Sequence, residues 1–112
     1  MIWKNLLSKA KRKRTNLPRQ TDYTKQFQKD WKRLSSSGQY DLKKLKEVML
    51  LLIANDTPLD QQWRDHELIG NWSNFRECHI GGDFLLIYKL FKDSKQETIV
   101  FTRAGTHNDL FR

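Results

Sequence analysis

The segment Asp83-Phe-Leu-Leu-Ile-Tyr-Lys-Leu-Phe91 carries apolar side chains at consecutive positions until Lys89. Successive side chains of a strand point to opposite faces. A run apolar on both faces must be covered on both sides, which places it in the middle of a sheet. Gly81-Gly82 just before it is a hairpin turn signal, and the polar stretch Lys92-Asp-Ser-Lys-Gln96 after it is a second turn. Neighbouring strands are therefore predicted on either side, Trp72 to Ile80 before and Glu97 to Arg103 after, forming an antiparallel meander.

What covers this sheet lies upstream. Residues 17–23 read as an edge strand, where Pro18 is tolerated. Thr24 is placed to cap a helix in which Tyr23, Phe27, Trp31 and Leu34 recur at helical spacing. Gly38 suits a left-handed stop. Asp41 caps a second helix with a stripe of Leu42, Leu45, Met49, Leu52 and Ile53, widened by Leu50 and Leu51. That helix is expected to end near Asn55-Asp-Thr-Pro58. A short turn joins the two helices into an antiparallel hairpin whose apolar faces need the sheet. Residues 59–71 read as a polar loop, and Thr106 to Phe111 as a closing helical turn. The fold class is α+β: an N-terminal edge strand and a two-helix hairpin packed on an antiparallel meander. Residues 1–16, with the run Lys9-Ala-Lys-Arg-Lys-Arg14, form a basic arm, solvated or briefly helical, to which no role is assigned. The domain itself spans 17–112.

A chain of 112 residues supports one domain with one core. Its formal net charge of +8 attracts polyanions, nucleic acid first and acidic proteins second. No apolar run approaches the ~20 residues that span a bilayer, and the N-terminus lacks the apolar stretch and cleavage site of a secretion signal. A single cysteine, Cys78, excludes an internal disulfide and fits the reducing cytoplasm. There is no phosphate-binding glycine loop and no Cys-x-x-Cys pair. Cys78 beside His79 does not match zinc-finger spacing, so no metal site and no cofactor are assigned.

All three histidines, His66, His79 and His107, lie in the C-terminal half beside Gly, Asp or Arg. Histidine is the side chain best suited to proton transfer near neutral pH. The meander returns the end of its third strand to the Gly81-Gly82 rim, bringing His79, Asp83, Arg103 and His107 together, with His66 arriving on the preceding loop. A second hairpin centred near Ser94 would set Arg103 opposite Leu85, diagonal to Asp83 on one face. For the first hairpin two registers are open. A two-residue Gly81-Gly82 loop sets His79 opposite Phe84, away from Asp83; a three-residue loop or a bulge sets His79 with Asp83.

RNA cleavage needs a base for the 2′-hydroxyl proton, an acid for the leaving 5′-oxygen, and a cation for the pentavalent phosphate. His and Asp are the acid–base candidates, and Arg103, with its planar fork, is the phosphate clamp. No metal is required, because the nucleophile is internal. Trp72 and Phe111 are candidates to stack bases.

Four blocks in order, Asp65-His66-x-Leu68-x-Gly70-x-Trp72, Arg76-Glu77-Cys78-His79, Asp83-Phe84-Leu85-Leu86-Ile87-Tyr88, and Arg103-Ala104-Gly105-Thr106-His107-x-Asp109-Leu110-Phe111, closely resemble the YafQ branch of the RelE/ParE toxin superfamily. The resemblance covers roughly residues 17–111. It implies a RelE-like fold and a type II toxin, a ribosome-dependent, metal-independent endoribonuclease that cuts mRNA and inhibits translation. It further implies a cognate antitoxin that blocks the basic groove, with operator DNA bound only through that complex. By motif position it implies that His66, His79, Asp83, Arg103 and His107 are the catalytic set. Phe111, Trp72, Phe84 and Arg76 would contact the substrate. Phe84 stands where the family commonly has Trp, Gly82 where Pro is frequent and Ala104 where Thr is frequent. Two other readings of the same scaffold stay open, a non-enzymatic ParE-like gyrase inhibitor and a plain RNA-binding module.

Overall fold

The structure, a computed structural model, describes residues 19–55, 58–93 and 96–111. The basic arm at 1–16, Leu17 and Pro18 of the expected edge strand, and the Ser94 centre of the second hairpin lie outside them. The elements are β1 (Arg19–Tyr23), α1 (Lys25–Ser37), α2 (Leu42–Ala54), β2 (His66–Glu67), β3 (Arg76–Gly81), β4 (Phe84–Lys92), β5 (Glu97–Gly105) and α3 (His107–Leu110).

The helix boundaries follow from local chemistry. The Thr24 hydroxyl accepts from the Phe27 N–H at 2.9 Å, and Asp41 Oδ1 accepts from the Lys44 N–H at 2.9 Å. Each satisfies one of the donors that a helix start leaves orphaned. Gly38 ends α1 at φ +69°, a left-handed backbone that glycine adopts without a Cβ clash.

The sheet order is β1-β5-β4-β3-β2, with β4 central as its two-sided apolar pattern requires. β2 to β5 pair antiparallel, while β1 runs parallel to β5 from Arg19↔Glu97 to Tyr23↔Phe101. Two segments differ from expectation. The strand expected from Trp72 begins only at Arg76, because Gly70 (φ +68°) and Asn74 (φ +77°) take left-handed backbone and Gly70–Trp72 coils into a 3₁₀ turn. The polar loop 59–71 contains a 3₁₀ turn at Gln61–Trp63 and the short β2, which sets His66 opposite Glu77.

One face of the sheet carries the main core. Phe27 and Leu34 of α1 and Leu45, Val48, Met49, Leu52 and Ile53 of α2 pack with Leu86, Tyr88, Ile99, Phe101 and Ala104. The Tyr23, Phe27 and Phe101 rings meet at centroid distances of 5.7 to 5.9 Å. Buried Arg19 joins three elements, donating to Glu97 Oε1 at 2.6 Å and to the carbonyls of Leu52 and Asn55 at 2.8 and 2.9 Å. On the other face Leu85 and Ile87 are covered by Leu110 of α3 with Leu68, Trp72 and Phe75. This second, smaller cluster holds the C-terminal turn and the 68–75 loop against the sheet. Among the described residues no helix is long and apolar enough to cross a membrane.

Candidate active site

The outer face of the sheet, away from α1 and α2, carries the chemistry at its β3–β4 turn end. His79 pairs with Leu85, but Gly81 pairs with Phe84, so the register shifts by one residue between them. Of the registers open from sequence this is the bulged one, although the tight turn is Gly82-Asp83, with Gly81 still paired in β3, rather than Gly81-Gly82. A bulge inserts one residue without a partner and re-aims its neighbours. Here it turns His79 to the face of Leu85, with Asp83 in the tight turn beside it. Gly82 makes that turn at φ +51°.

His107 reaches the same place from the end of β5. Thr106 and Asp109 form a reciprocal capping box at the start of α3, which fixes the backbone from which His107 projects. Asp83 Oδ1 accepts from both the His107 N–H at 3.1 Å and Nδ1 at 2.5 Å. These bonds, backbone first and side chain second, hold the Asp83 carboxyl below the ordinary aspartate range. A carboxylate can only accept, so Nδ1 carries the proton and Nε2 of the neutral ring is left with its lone pair. The His79 and His107 rings lie 6.2 Å apart.

His66 and His79 meet on a third acid that sequence reasoning passed over. Their rings are 6.1 Å apart, and their Nε2 atoms lie 3.1 and 3.6 Å from Glu77 Oε2. Glu77 is buried, and its Oε1 has no hydrogen-bond partner among the described residues. The available signal was the alternation Glu77-x-His79, which shares one strand face; the missing fact was β2, which sets His66 directly across. His66 Nδ1 faces the Arg64 carbonyl at 2.7 Å, so Nδ1 must donate. Nε2 of a neutral His66 then points a lone pair at an acceptor, an arrangement completed only by a proton or a cation between them.

Arg103 takes a different position from the one expected. It pairs with Ile87, while Gly105 takes the place opposite Leu85, because the β4–β5 pairing already runs one residue off the expected register from Lys92↔Glu97 to Tyr88↔Phe101 and shifts by one more between Tyr88 and Ile87. Its guanidinium engages Asp30 of α1 rather than Asp83: Nε donates to Oδ2 at 2.8 Å and Nη2 to Oδ1 at 3.2 Å. Asp30, also overlooked from sequence, is buried.

Aromatic rings extend the rim. Phe111 is exposed, with its ring 5.9 Å from His107 and 5.7 Å from Trp72. Phe84 and Arg76 are not brought here. Phe84 is buried on the helix side against Tyr40, 5.0 Å between rings, since strand alternation turns it away from Leu85. Arg76, opposite Tyr88, is bound to Asp65 at 3.2 Å, which also accepts from the Tyr88 hydroxyl at 2.6 Å. Cys78 is fully buried and burial pushes its thiol pKa up, so it does not join the histidines. A cleft beside the turn is lined by Lys44, Arg64 and His79, which adds cationic charge next to the rim.

The five-stranded sheet with the α1–α2 hairpin packed on one face is a RelE-like α+β fold. The chain belongs to the YafQ family: the family profile, "Bacterial toxin of type II toxin-antitoxin system, YafQ", matches residues 19–112. The chain is 40% identical over 95 residues to the mRNA interferase toxin YafQ of Escherichia coli strain K12, covering 85% of this chain and 98% of that protein. The crystal structure of the E. coli DinJ-YafQ toxin-antitoxin complex superposes with a TM-score of 0.71 at 40% identity, over 86% of this chain and 100% of that one. A metal-bound toxin from Helicobacter pylori superposes with a TM-score of 0.71 at 38% identity, over 86% and 100% of the two chains.

Proposed function

We propose that this toxin cuts mRNA on the ribosome by attack of the 2′-hydroxyl on the adjacent phosphate, using the rim of His79, Asp83, Arg103 and His107. The observation that carries this reading is the His107–Asp83 pair placed one ring-spacing from His79. His107, its Nδ1 proton held by Asp83, takes the 2′-hydroxyl proton at Nε2. The oxygen then bonds to phosphorus, giving a cyclic phosphate as the 5′-oxygen leaves. His79, when protonated and backed by Glu77, supplies the proton that the leaving oxygen needs. Arg103 neutralises the phosphate, and Phe111 with Trp72 stacks the neighbouring bases. Asp83 orients rather than donates, because a carboxyl held ionised at low pH is a poor acid near neutrality. The likeness to the DinJ-YafQ complex supports a cognate antitoxin partner; in this reading that partner covers the rim in the cytoplasm, and operator DNA is bound through the complex.

Primer extension on mRNA, with and without ribosomes, tests the reaction. Cuts that require both the ribosome and the toxin are the expected result. Intact mRNA accompanied by gyrase inhibition would replace this reading with the ParE-like one.

The rim also has the donor set of a transition-metal site. The ligand atoms of His66, Glu77 and His79 all lie within 4.8 Å of one another, and two histidines with one carboxylate suit zinc or copper. The metal-bound relative supports the same capacity. An ion held there occupies His79 and Glu77, the proposed acid and its support, so added Zn²⁺ or Cu²⁺ is expected to inhibit cleavage and a chelator to restore it. Native mass spectrometry should show one ion bound to wild type and weaker binding to Glu77→Gln. Cleavage indifferent to the ions, with none bound, would exclude the site.

A further inference from the structure

Asp30 sits where an apolar residue would be expected. It falls within the α1 stripe of Phe27, Trp31 and Leu34, and its side chain is only 5% exposed. A carboxylate so placed is costly unless every lone pair finds a donor. Both oxygens do. Oδ2 accepts from Arg103 Nε at 2.8 Å and from the Ala104 backbone N–H at 3.0 Å. Oδ1 accepts from Arg103 Nη2 at 3.2 Å and Arg33 Nη2 at 3.3 Å.

The topology explains why a helix supplies this acceptor. β1 pairs with β5 only as far as Phe101. Beyond that point α1 takes over the strand's open edge. Thr24 donates its hydroxyl to the Thr102 carbonyl at 2.7 Å, and Asp30 takes the Ala104 N–H that a longer β1 would have accepted. Arg33 continues the tie, with Nη2 to the Ala104 carbonyl at 3.3 Å and Nη1 to Asp109 Oδ2 at 3.2 Å. Asp109 belongs to the capping box of the helix that carries His107.

The consequence concerns the free edge of Arg103. A guanidinium has five N–H donors in a rigid plane. Asp30 grips the Nε–Nη2 edge, which leaves the Nη1 hydrogens and one on Nη2. The grip fixes the plane of the fork, and Asp30, the largest influence on it, holds the group more firmly cationic than usual. We propose that Asp30 is a positioning residue: it clamps Arg103 edge-on so that the opposite edge of the guanidinium is presented to the scissile phosphate. The proposal rests on the mRNA-cleavage reading, in which Arg103 neutralises that phosphate.

Asp30→Asn is the discriminating variant, because it is isosteric and keeps an oxygen for the Ala104 N–H. Its amide turns donors toward Arg103 and removes the charge. Misplacement of a catalytic group by about 1 Å costs on the order of 10²-fold. Asp30→Asn is accordingly expected to lower kcat on ribosome-bound mRNA by about 10²-fold, with KM little changed and Asp30→Glu partly restoring the rate. In an Arg103→Ala background the same substitution should have almost no further effect. An equal further loss in that background would show that Asp30 acts through the fold and would overturn the proposal. A second measurement does not need activity. The Arg103 Nε–H resonance of the wild-type toxin should be protected from solvent exchange. If it exchanges freely, the clamp does not exist, whatever the cleavage data show. If it is protected and the wild type cuts no mRNA, the positioning stands and the cleavage reading fails.

Discussion

Replacing His107 with alanine is expected to lower mRNA cleavage by about 10²–10⁴-fold, the usual contribution of a positioned acid or base, while the toxin stays folded. The His107 side chain is about half exposed and sits at the start of a four-residue helix, outside both apolar clusters. Single-turnover cleavage on programmed ribosomes, with an unchanged urea-denaturation midpoint as the control for folding, measures it. A loss below about tenfold would move the base role to another residue. The pH profile gives a second check. Asp83 is held below the ordinary aspartate pKa by the His107 N–H and ring. Its contribution is therefore complete above ~4 and is lost only as pH falls through its lower folded value. Rate changes between about pH 5 and 8 then come from groups other than Asp83. An acid limb below that window would point to Asp83 instead.

Phe101→Ala is expected to do the opposite, removing stability rather than chemistry. Phe101 is fully buried, and its ring lies 5.7 and 5.9 Å from those of Tyr23 and Phe27. It belongs to β5, which pairs with both β1 and β4. Deleting a buried Phe side chain costs ~3–5 kcal/mol, against a total of about 5–15 kcal/mol for a domain. Urea denaturation should show the midpoint falling with little change in slope. A cognate antitoxin that binds only the folded toxin should raise it again by mass action. A loss under about 1 kcal/mol would mean that the three-ring cluster is not an essential part of the core.

The two variants separate what could be read locally from what could not. The caps at Thr24 and Asp41, the stop at Gly38 and the stripes of α1 and α2 were legible because each depends on a few residues close in sequence. The central place of β4 was legible for a similar reason, since a strand apolar on both faces has nowhere else to go. The late start of β3 was not, because it depends on Gly70 and Asn74 adopting left-handed backbone, which composition alone does not dictate. β2 is two residues long and carries no periodic signal; only its partner makes it a strand.

The site divides along the same line. His79, Asp83 and His107 were legible as neighbours at one end of a meander, while Arg103, expected diagonal to Asp83, lies opposite Ile87 and is held by Asp30. Their partners were not legible. Glu77 becomes the meeting point of His66 and His79 only once β2 lies against β3. Asp30, 73 residues from Arg103, reads as one more polar helix position until the open edge of β5 is seen to need an acceptor.

By itself the sequence determined the α+β class, the helices with their caps, the centre of the sheet, the cationic character, the family and the residue types of the rim. The tertiary structure alone decided which face each of those residues takes and what holds it there. The physical reason is the period of a strand. Alternation assigns side chains to two faces, but a single inserted residue exchanges them, as at the bulge beside His79 and again between Arg103 and Phe101. Whether that residue is inserted depends on the partner strand and the packing beyond it.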